Sequence, residues 1–241
     1  MKRFGLNALQ LKILAMVFML LDHMWATVIH GNDWMTCVGR LAFPIFAFQI
    51  AEGYAHTHDA RAYRRRLLIW ALISEIPFNL MVGGGLIYPF HQNVMFTFWL
   101  ALIVMDRIER AQKREGISGL LFVGVWIFAG SLLGILTMVD YYHYGVFLTI
   151  MFCLFRKNKI AQLFIMFMVN VTWMKGLVYP IELLSREWFI PQQAFAVLAL
   201  IPIWLYNGEQ GPYNRTIRRA CYAFYPAHIL ILALIGMFVL N

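Results

Sequence analysis

Asp22 and His23 stand side by side inside LQLKILAMVFMLLDHMWATVI, an apolar run over 9–29 with the length of about 20 residues that a bilayer-crossing helix needs. An ionisable side chain in hydrocarbon costs roughly 2.5–3.5 kcal/mol on insertion scales, so such groups require partners, water or a function. An imidazole beside a carboxylate can serve as a general base, the carboxylate holding its tautomer and stabilising the imidazolium. Neighbouring residues on a helix do not face each other, however, so the spacing predicts that Asp22 serves a group other than the His23 ring. Arg40, in the second apolar stretch, is a candidate partner because a buried guanidinium and a buried carboxylate would each otherwise be unpaired. Asp140 is a second candidate for orienting His23. A purely structural reading also stands, in which Asp22, His23 and Arg40 lock two helices together without a substrate.

Further polar residues fall at helix ends. His91, Gln92 and Asn93 precede one apolar stretch, and Asp140, Tyr141, Tyr142 and His143 precede another. Glu75 lies mid-stretch in ALISEIPFNL, where Pro77 frees a backbone carbonyl and predicts a break at which Glu75 lines a cavity. A second polar set comprises Glu52, Tyr54, His56, His58, Arg64, Arg65, Arg66, Tyr206, Asn207, Arg215, Arg218, Arg219 and His228. Its arginines suit phosphate, whose oxygens guanidinium groups chelate bidentately, and equally suit anionic lipid headgroups. His56-Thr57-His58 lacks a supporting ligand cluster, so no metal is expected.

The elements that must position these residues are transmembrane helices. Of 241 residues 61% are hydrophobic and only 13% charged, against about 45–50% and about 25% in soluble domains. Apolar segments fall near 9–29, 36–55, 66–83, 93–106, 117–138, 142–155, 160–178, 189–206 and 223–240. They predict a single all-α domain over 1–241, a membrane bundle of about nine helices (between about 8 and 10), with 93–106 and 142–155 short for a full crossing. The net charge of +8 does not mark a nucleic-acid protein, because the basic residues sit in short loops between spans rather than on one patch. From Lys2 and Arg3 onward they fall on alternate loops, leaving Lys175 and Arg186 on the other side and Arg40 within a span. The positive-inside rule then places the N-terminus in the cytoplasm and His23 in the outer half of the membrane, about 14 residues or roughly 21 Å beyond Leu9. Arg40, His91 and Asp140 come to a similar level by topology alone. Cys37, Cys153 and Cys221 have no paired spacing and read as apolar filler. Gly83-Gly84-Gly85 reads as a turn rather than a phosphate loop.

LKILAMVFMLLDHM, GRLAFPIFAFQIAEGYAHT, RRRLLIWALISEIPFNL, HQNVMFTFWL, DYYHYGV, LYNGEQG and FYPAHILIL resemble, in order, the motifs of the TraX family of bacterial inner-membrane proteins. The best-known member acetylates the N-terminal amine of conjugative pilin, and the family is regarded as distantly related to the acyltransferase-3 enzymes. The resemblance implies an acetyl-CoA-dependent acetyltransferase of the inner membrane acting on an amine or hydroxyl acceptor: a pilin terminus, a sugar or another small envelope substrate. It implies acetyl transfer at Asp22, His23 and Arg40. In the mechanism expected on this basis, His23 is the general base, or is itself acetylated first, and Arg40 or Asn93 stabilises the oxyanion. His91 and Asp140 complete the catalytic set, and Glu75, Gln92 and Tyr141 meet the acceptor. Glu52, Arg64, Arg65, Arg66, Tyr206, Asn207, Arg215, Arg218 and Arg219 hold the coenzyme. A proton-coupled permease using Asp22, His23 and Glu75 as relays is the competing class, and a passive membrane scaffold is a third.

Overall fold

In the computed structural model, residues 4–174, 176–183, 186–212 and 214–239 are described; Lys2, Arg3 and Lys175 lie outside them. The chain is a helical bundle. Helix α1 spans Ala8–Thr27, opened by a capping box in which the Asn7 side chain accepts from the Gln10 N–H and the Gln10 side chain accepts from the Asn7 N–H. Helices α2 (Asp33–Gly39) and α3 (Ala42–His56) form one rod broken at Arg40-Leu41. The cause is in the sequence: Pro44 lacks an N–H and its ring collides with the carbonyl four residues back, which is that of Arg40. Then come α4 (Ala60–Gly83), α5 (Val94–Gln112), α6 (Gly116–Leu136), α7 (Tyr142–Leu154), α8 (Lys159–Phe167) with a π-turn over Met168–Trp173, a 3₁₀ stretch Gln192–Ala199, α9 (Leu200–Trp204) and α10 (Arg215–Val239).

Among the described residues, five helices are long and apolar enough to cross a membrane: Ala8–Thr27, Asp33–His56, Ala60–Gly83, Gly116–Leu136 and Arg215–Phe238. Helix α6 shows why this apolar exterior belongs in lipid. It buries only Gly119, Gly130 and Gly134 against the bundle and turns Leu120, Leu121, Val125 and Phe128 outward. Glycines let two helices approach closely where no hydrophobic drive exists between them, and a Cβ at Gly134 would lie 2.8 Å from the Tyr142 carbonyl oxygen.

Three expectations change. Helix α5 runs to Gln112 rather than stopping near 106. Pro77 is accommodated within an uninterrupted α4. The chain is also not wholly helical: Val178–Leu183 (β1) pairs antiparallel with Arg186–Pro191 (β2), Val178 opposite Pro191. The apolar runs flanking this hairpin read as ends of the predicted spans 160–178 and 189–206, which the structure cuts back to Trp173 and starts at Gln192.

The core gathers around α1, α3, α5 and α7, where Ala15, Ala47, Ala51 and Ala101 are fully buried. Helix α10 packs on both α1 and α4, so the last helix closes against the first. One pole carries Arg66, Arg156 and Arg218 and is called the basic pole; the opposite pole carries His91 and Asp140.

Candidate functional site

The Pro44 break puts Arg40 at the end of α2, facing α1. Its guanidinium pairs with the Asp22 carboxylate, whose other oxygen accepts from the Thr36 hydroxyl at 2.7 Å. Thr36 in turn accepts from the Gln192 amide at 2.9 Å. The helices meet this closely because residue 39 is glycine: a Cβ there would lie 2.4 Å from the Asp22 Cβ. Asp22 therefore serves Arg40, as helical spacing predicts. The Arg40 Nε–H is buried and has no hydrogen-bond partner.

His23 is paired from an unpredicted direction. Its Nδ1 lies 2.8 Å from Nε2 of His228 on α10, and His228 Nδ1 lies 2.7 Å from the Phe224 carbonyl oxygen. Sequence order had grouped His228 with the basic pole. Helix α10 starts there at Arg215, and 13 residues at about 1.5 Å each carry His228 roughly 20 Å away, to the depth of His23. Asp140 does not orient His23. Its carboxylate meets His91 Nε2 at 3.2 Å and accepts from the Tyr141 N–H at 3.0 Å.

Asp22, His23, Arg40, His91, Asp140 and Tyr141 all line one cavity of about 680 Å³, with Tyr144, Trp173 and Met174 also in its wall. Phe43 stacks on Tyr141, ring centres 4.1 Å apart. The segment that brings Asp140 and Tyr141 here is strained. Met138, Tyr141 and Tyr142 all have left-handed backbones, with φ of 51°, 59° and 43°, each a conformation costing a non-glycine residue roughly 1–2 kcal/mol.

Other expected site residues lie elsewhere. Asn93 is fully buried and occupied: its amide donates to the Ala71 carbonyl and to Glu75, and its oxygen caps α5 at the Met95 N–H. It has no donor left for an oxyanion. Glu75 sits outside the cavity against Asn93, and Gln92 is likewise outside, donating to the Pro89 carbonyl. The relay groups of a permease, Asp22, His23 and Glu75, thus do not share one path.

At the basic pole a cavity of about 390 Å³ is lined by Lys12, Gln49, Glu52, Arg66, Tyr206 and Arg218 among others. Arg66 Nε and the Gln49 side-chain oxygen are buried without hydrogen-bond partners. Arg64 instead faces Asp106 at 3.5 Å, Arg65 is exposed, and Asn207 Oδ1 accepts from the Glu209 N–H. Glu52 is engaged by Arg156 at 3.4 Å. Arg215 and Arg219 lie on an adjoining surface groove with Arg66 and Arg218. No group of metal-ligating side chains occurs among the described residues.

A smaller cavity of about 100 Å³ lies between the two. It shares Lys12, Gln49, Tyr63 and Tyr222 with the basic-pole cavity, and Met19, Phe46, Val94, Phe98 and Tyr225 with the His23 cavity. The three stand in series through the bundle. Sequence reasoning missed Lys12 and Tyr222, which carry no spacing signal, and placed His228 at the basic pole rather than beside His23.

His91 lies in the loop before α5, and its hydrogen bond to Asp140 raises its pKa above the ordinary value. The protonated pair therefore stabilises the fold fully below about pH 6.5, the ordinary histidine value, and that contribution is lost as pH rises through the raised folded-state value. Melting in detergent across this range is expected to show the stability advantage over His91→Gln shrinking as pH rises. A constant difference at all pH values would refute the pairing.

A family model described as TraX protein matches residues 8–236. The probable fimbrial assembly protein FimC, serogroup H1, of Dichelobacter nodosus is 27% identical over 98% of both chains. Protein TraX of Escherichia coli is 28% identical over 48% of this chain and 46% of its own length; the Escherichia coli K12 protein of that name is 29% identical over the same shares. No solved structure matches.

Proposed function

The chain belongs to the TraX family and is built as a multi-pass membrane protein, and on that footing we propose that it is an acetyl-CoA-dependent acetyltransferase with the basic pole in the cytoplasm and the N-terminus on that side. Bacterial inner-membrane placement and about nine crossings belong to the same reading. The observation that carries it is the series of three cavities from Arg66 and Arg218 to His23 and Arg40.

Arg66 and Arg218 suit the coenzyme phosphates, and the unpartnered Gln49 oxygen suits an amide N–H of the pantetheine arm. Lys12 and His23 stand 11 residues apart on α1, roughly 16 Å along the axis, about the reach of that arm when extended. At the far end the acceptor amine or hydroxyl attacks the thioester carbonyl carbon while His23 takes its proton. The unpartnered Arg40 Nε–H supports the developing oxyanion, where a preorganised donor is worth most. Collapse of the tetrahedral intermediate breaks the C–S bond, and the proton on His23 returns to the leaving thiolate, giving free coenzyme A. His91, Asp140 and Tyr141 line the side from which the acceptor enters. The printed name of the Dichelobacter nodosus relative supports a surface-fibre subunit as the acceptor class.

The test is purified protein in liposomes with radiolabelled acetyl-CoA and a panel of amine and hydroxyl acceptors. Label transfer is expected from the wild type. Met16 lines only the middle cavity of the three, and Met16→Trp is expected to block the passage and cut transfer at least about tenfold, one lost contact-scale barrier of about 1.4 kcal/mol, with the melting temperature retained. No transfer or thioester cleavage with any acceptor would overturn the reading.

A further inference from the structure

The His23–His228 contact fixes more than a distance. A carbonyl oxygen only accepts, so the 2.7 Å contact between His228 Nδ1 and the Phe224 carbonyl requires the proton of the neutral His228 ring to sit on Nδ1. Its Nε2 is then a lone-pair acceptor. The nitrogen facing it at 2.8 Å, His23 Nδ1, must supply the proton, because two lone pairs cannot face each other at that distance. In a neutral imidazole the other nitrogen is then bare. The chain of donors runs one way, from His23 Nδ1–H to His228 Nε2 and from His228 Nδ1–H to the Phe224 backbone.

The ring geometry agrees. The planes are within 5° of parallel and the centroids 5.1 Å apart. With facing nitrogens at 2.8 Å, that separation is what two rings joined edge to edge in a common plane give, the alignment of an N–H···N bond along the lone-pair axis, rather than a face-to-face stack. His228 is only 6% exposed, with Phe224 stacked on it at 4.6 Å and the Tyr225 ring edge-on at 5.9 Å, so its ring has no room to flip.

We propose that His228 is a positioning residue that sets the tautomer of His23, leaving the His23 Nε2 lone pair for the cavity where the acceptor proton is taken. This rests on the acetyltransferase reading for its use, but not for its geometry. When His23 takes the acceptor proton at Nε2, the resulting imidazolium keeps its Nδ1–H bond to His228 Nε2, which becomes charge-assisted and stronger. The pair thus stabilises the protonated base at the moment it forms, a role that carboxylates usually fill and that Asp22 and Asp140 are too occupied to fill here.

Nitrogen NMR of the ¹⁵N-histidine-labelled protein in lipid bilayers tests the tautomer directly, with assignment from His23→Gln and His228→Gln spectra. A proton on His23 Nδ1, a bare His23 Nε2 and a proton on His228 Nδ1 are expected in the wild type. A proton on His23 Nε2, or on both nitrogens of His228, would overturn the proposal whether or not the protein transfers acetyl groups. Kinetics form the second arm. His228→Phe removes the acceptor and is expected to lower kcat by about 100-fold, within the general range for a mis-set base, with KM for acetyl-CoA unchanged. His228→Gln, whose side-chain oxygen can still accept from His23 Nδ1–H, is expected to recover most of that loss. An unchanged kcat in His228→Phe, or equal loss in both variants, would also overturn it. A wild type that shows the expected tautomer but no transfer would sink the acetyltransferase reading and leave the tautomer assignment standing.

Discussion

His23→Ala is expected to lower the rate of acetyl transfer by about 10²–10⁴-fold, the span that a positioned general base contributes, while acetyl-CoA still binds. The two effects separate because His23 lies at one end of the cavity series and the proposed phosphate contacts at the other. Removing the imidazole leaves His228 Nε2 without its donor, at a cost of about 1–3 kcal/mol for an unsatisfied buried group, but the space opens onto the cavity and water can enter. Transfer of label under single-turnover conditions and retention on a coenzyme A resin are the measurements. His58→Ala, at an exposed position that lines neither cavity, is expected to leave the rate unchanged. Equal rates for His23→Ala and wild type would remove His23 from the chemistry.

Breaking the Asp22–Arg40 pair carries the other large effect. Arg40→Met leaves a carboxylate whose remaining partner is Thr36, and loss of one partner of a buried pair costs about 3–5 kcal/mol. The side chains are 20% and 15% exposed, facing the cavity, which argues for the lower end. Asp22→Asn can still offer its side-chain oxygen to Arg40, but it leaves the guanidinium charge without a counter-charge at this contact. The double variant Asp22→Leu with Arg40→Met is expected to regain most of the lost thermal stability, since two neutral side chains leave no stranded charge, yet to stay inactive for want of the Arg40 donor. Unfolding temperatures of the single and double variants decide this. A double variant as unstable as Arg40→Met would mean that packing rather than charge sets the loss. An active double variant would place the oxyanion donor elsewhere.

The half of the site built by α1 and α2 was legible in the sequence for physical reasons. Two charges 18 residues apart in apolar runs had to find one another, and helical geometry excluded the adjacent His23 as the partner of Asp22. The convergence of His91 and Asp140 followed from loop alternation. The Pro44 break that aims Arg40 was not readable: the same proline rule predicts a break at Pro77, where α4 runs on uninterrupted. What was not legible depends on which helices pack together. Nothing in the spacing of His23 and His228, 205 residues apart, announces that α10 lies on α1. Asn93 looked like a free donor because its capping duty appears only once α5 is known to begin at Val94. The hairpin was hidden because most of it, 179–188, fell in the loop between the predicted spans 160–178 and 189–206, and Pro180 and Pro191 argue against strands.

The closure of α10 on α1 also sets an order of assembly. During synthesis, Asp22 meets Arg40 as soon as the first two rods have left the ribosome, so the costliest charges can be neutralised by an early helical pair. His23 waits for His228 until α10 has been made and inserted. A nascent or prematurely ended chain in the membrane is therefore electrically settled at Asp22 and Arg40, while His23 has no partner until the final helix is inserted.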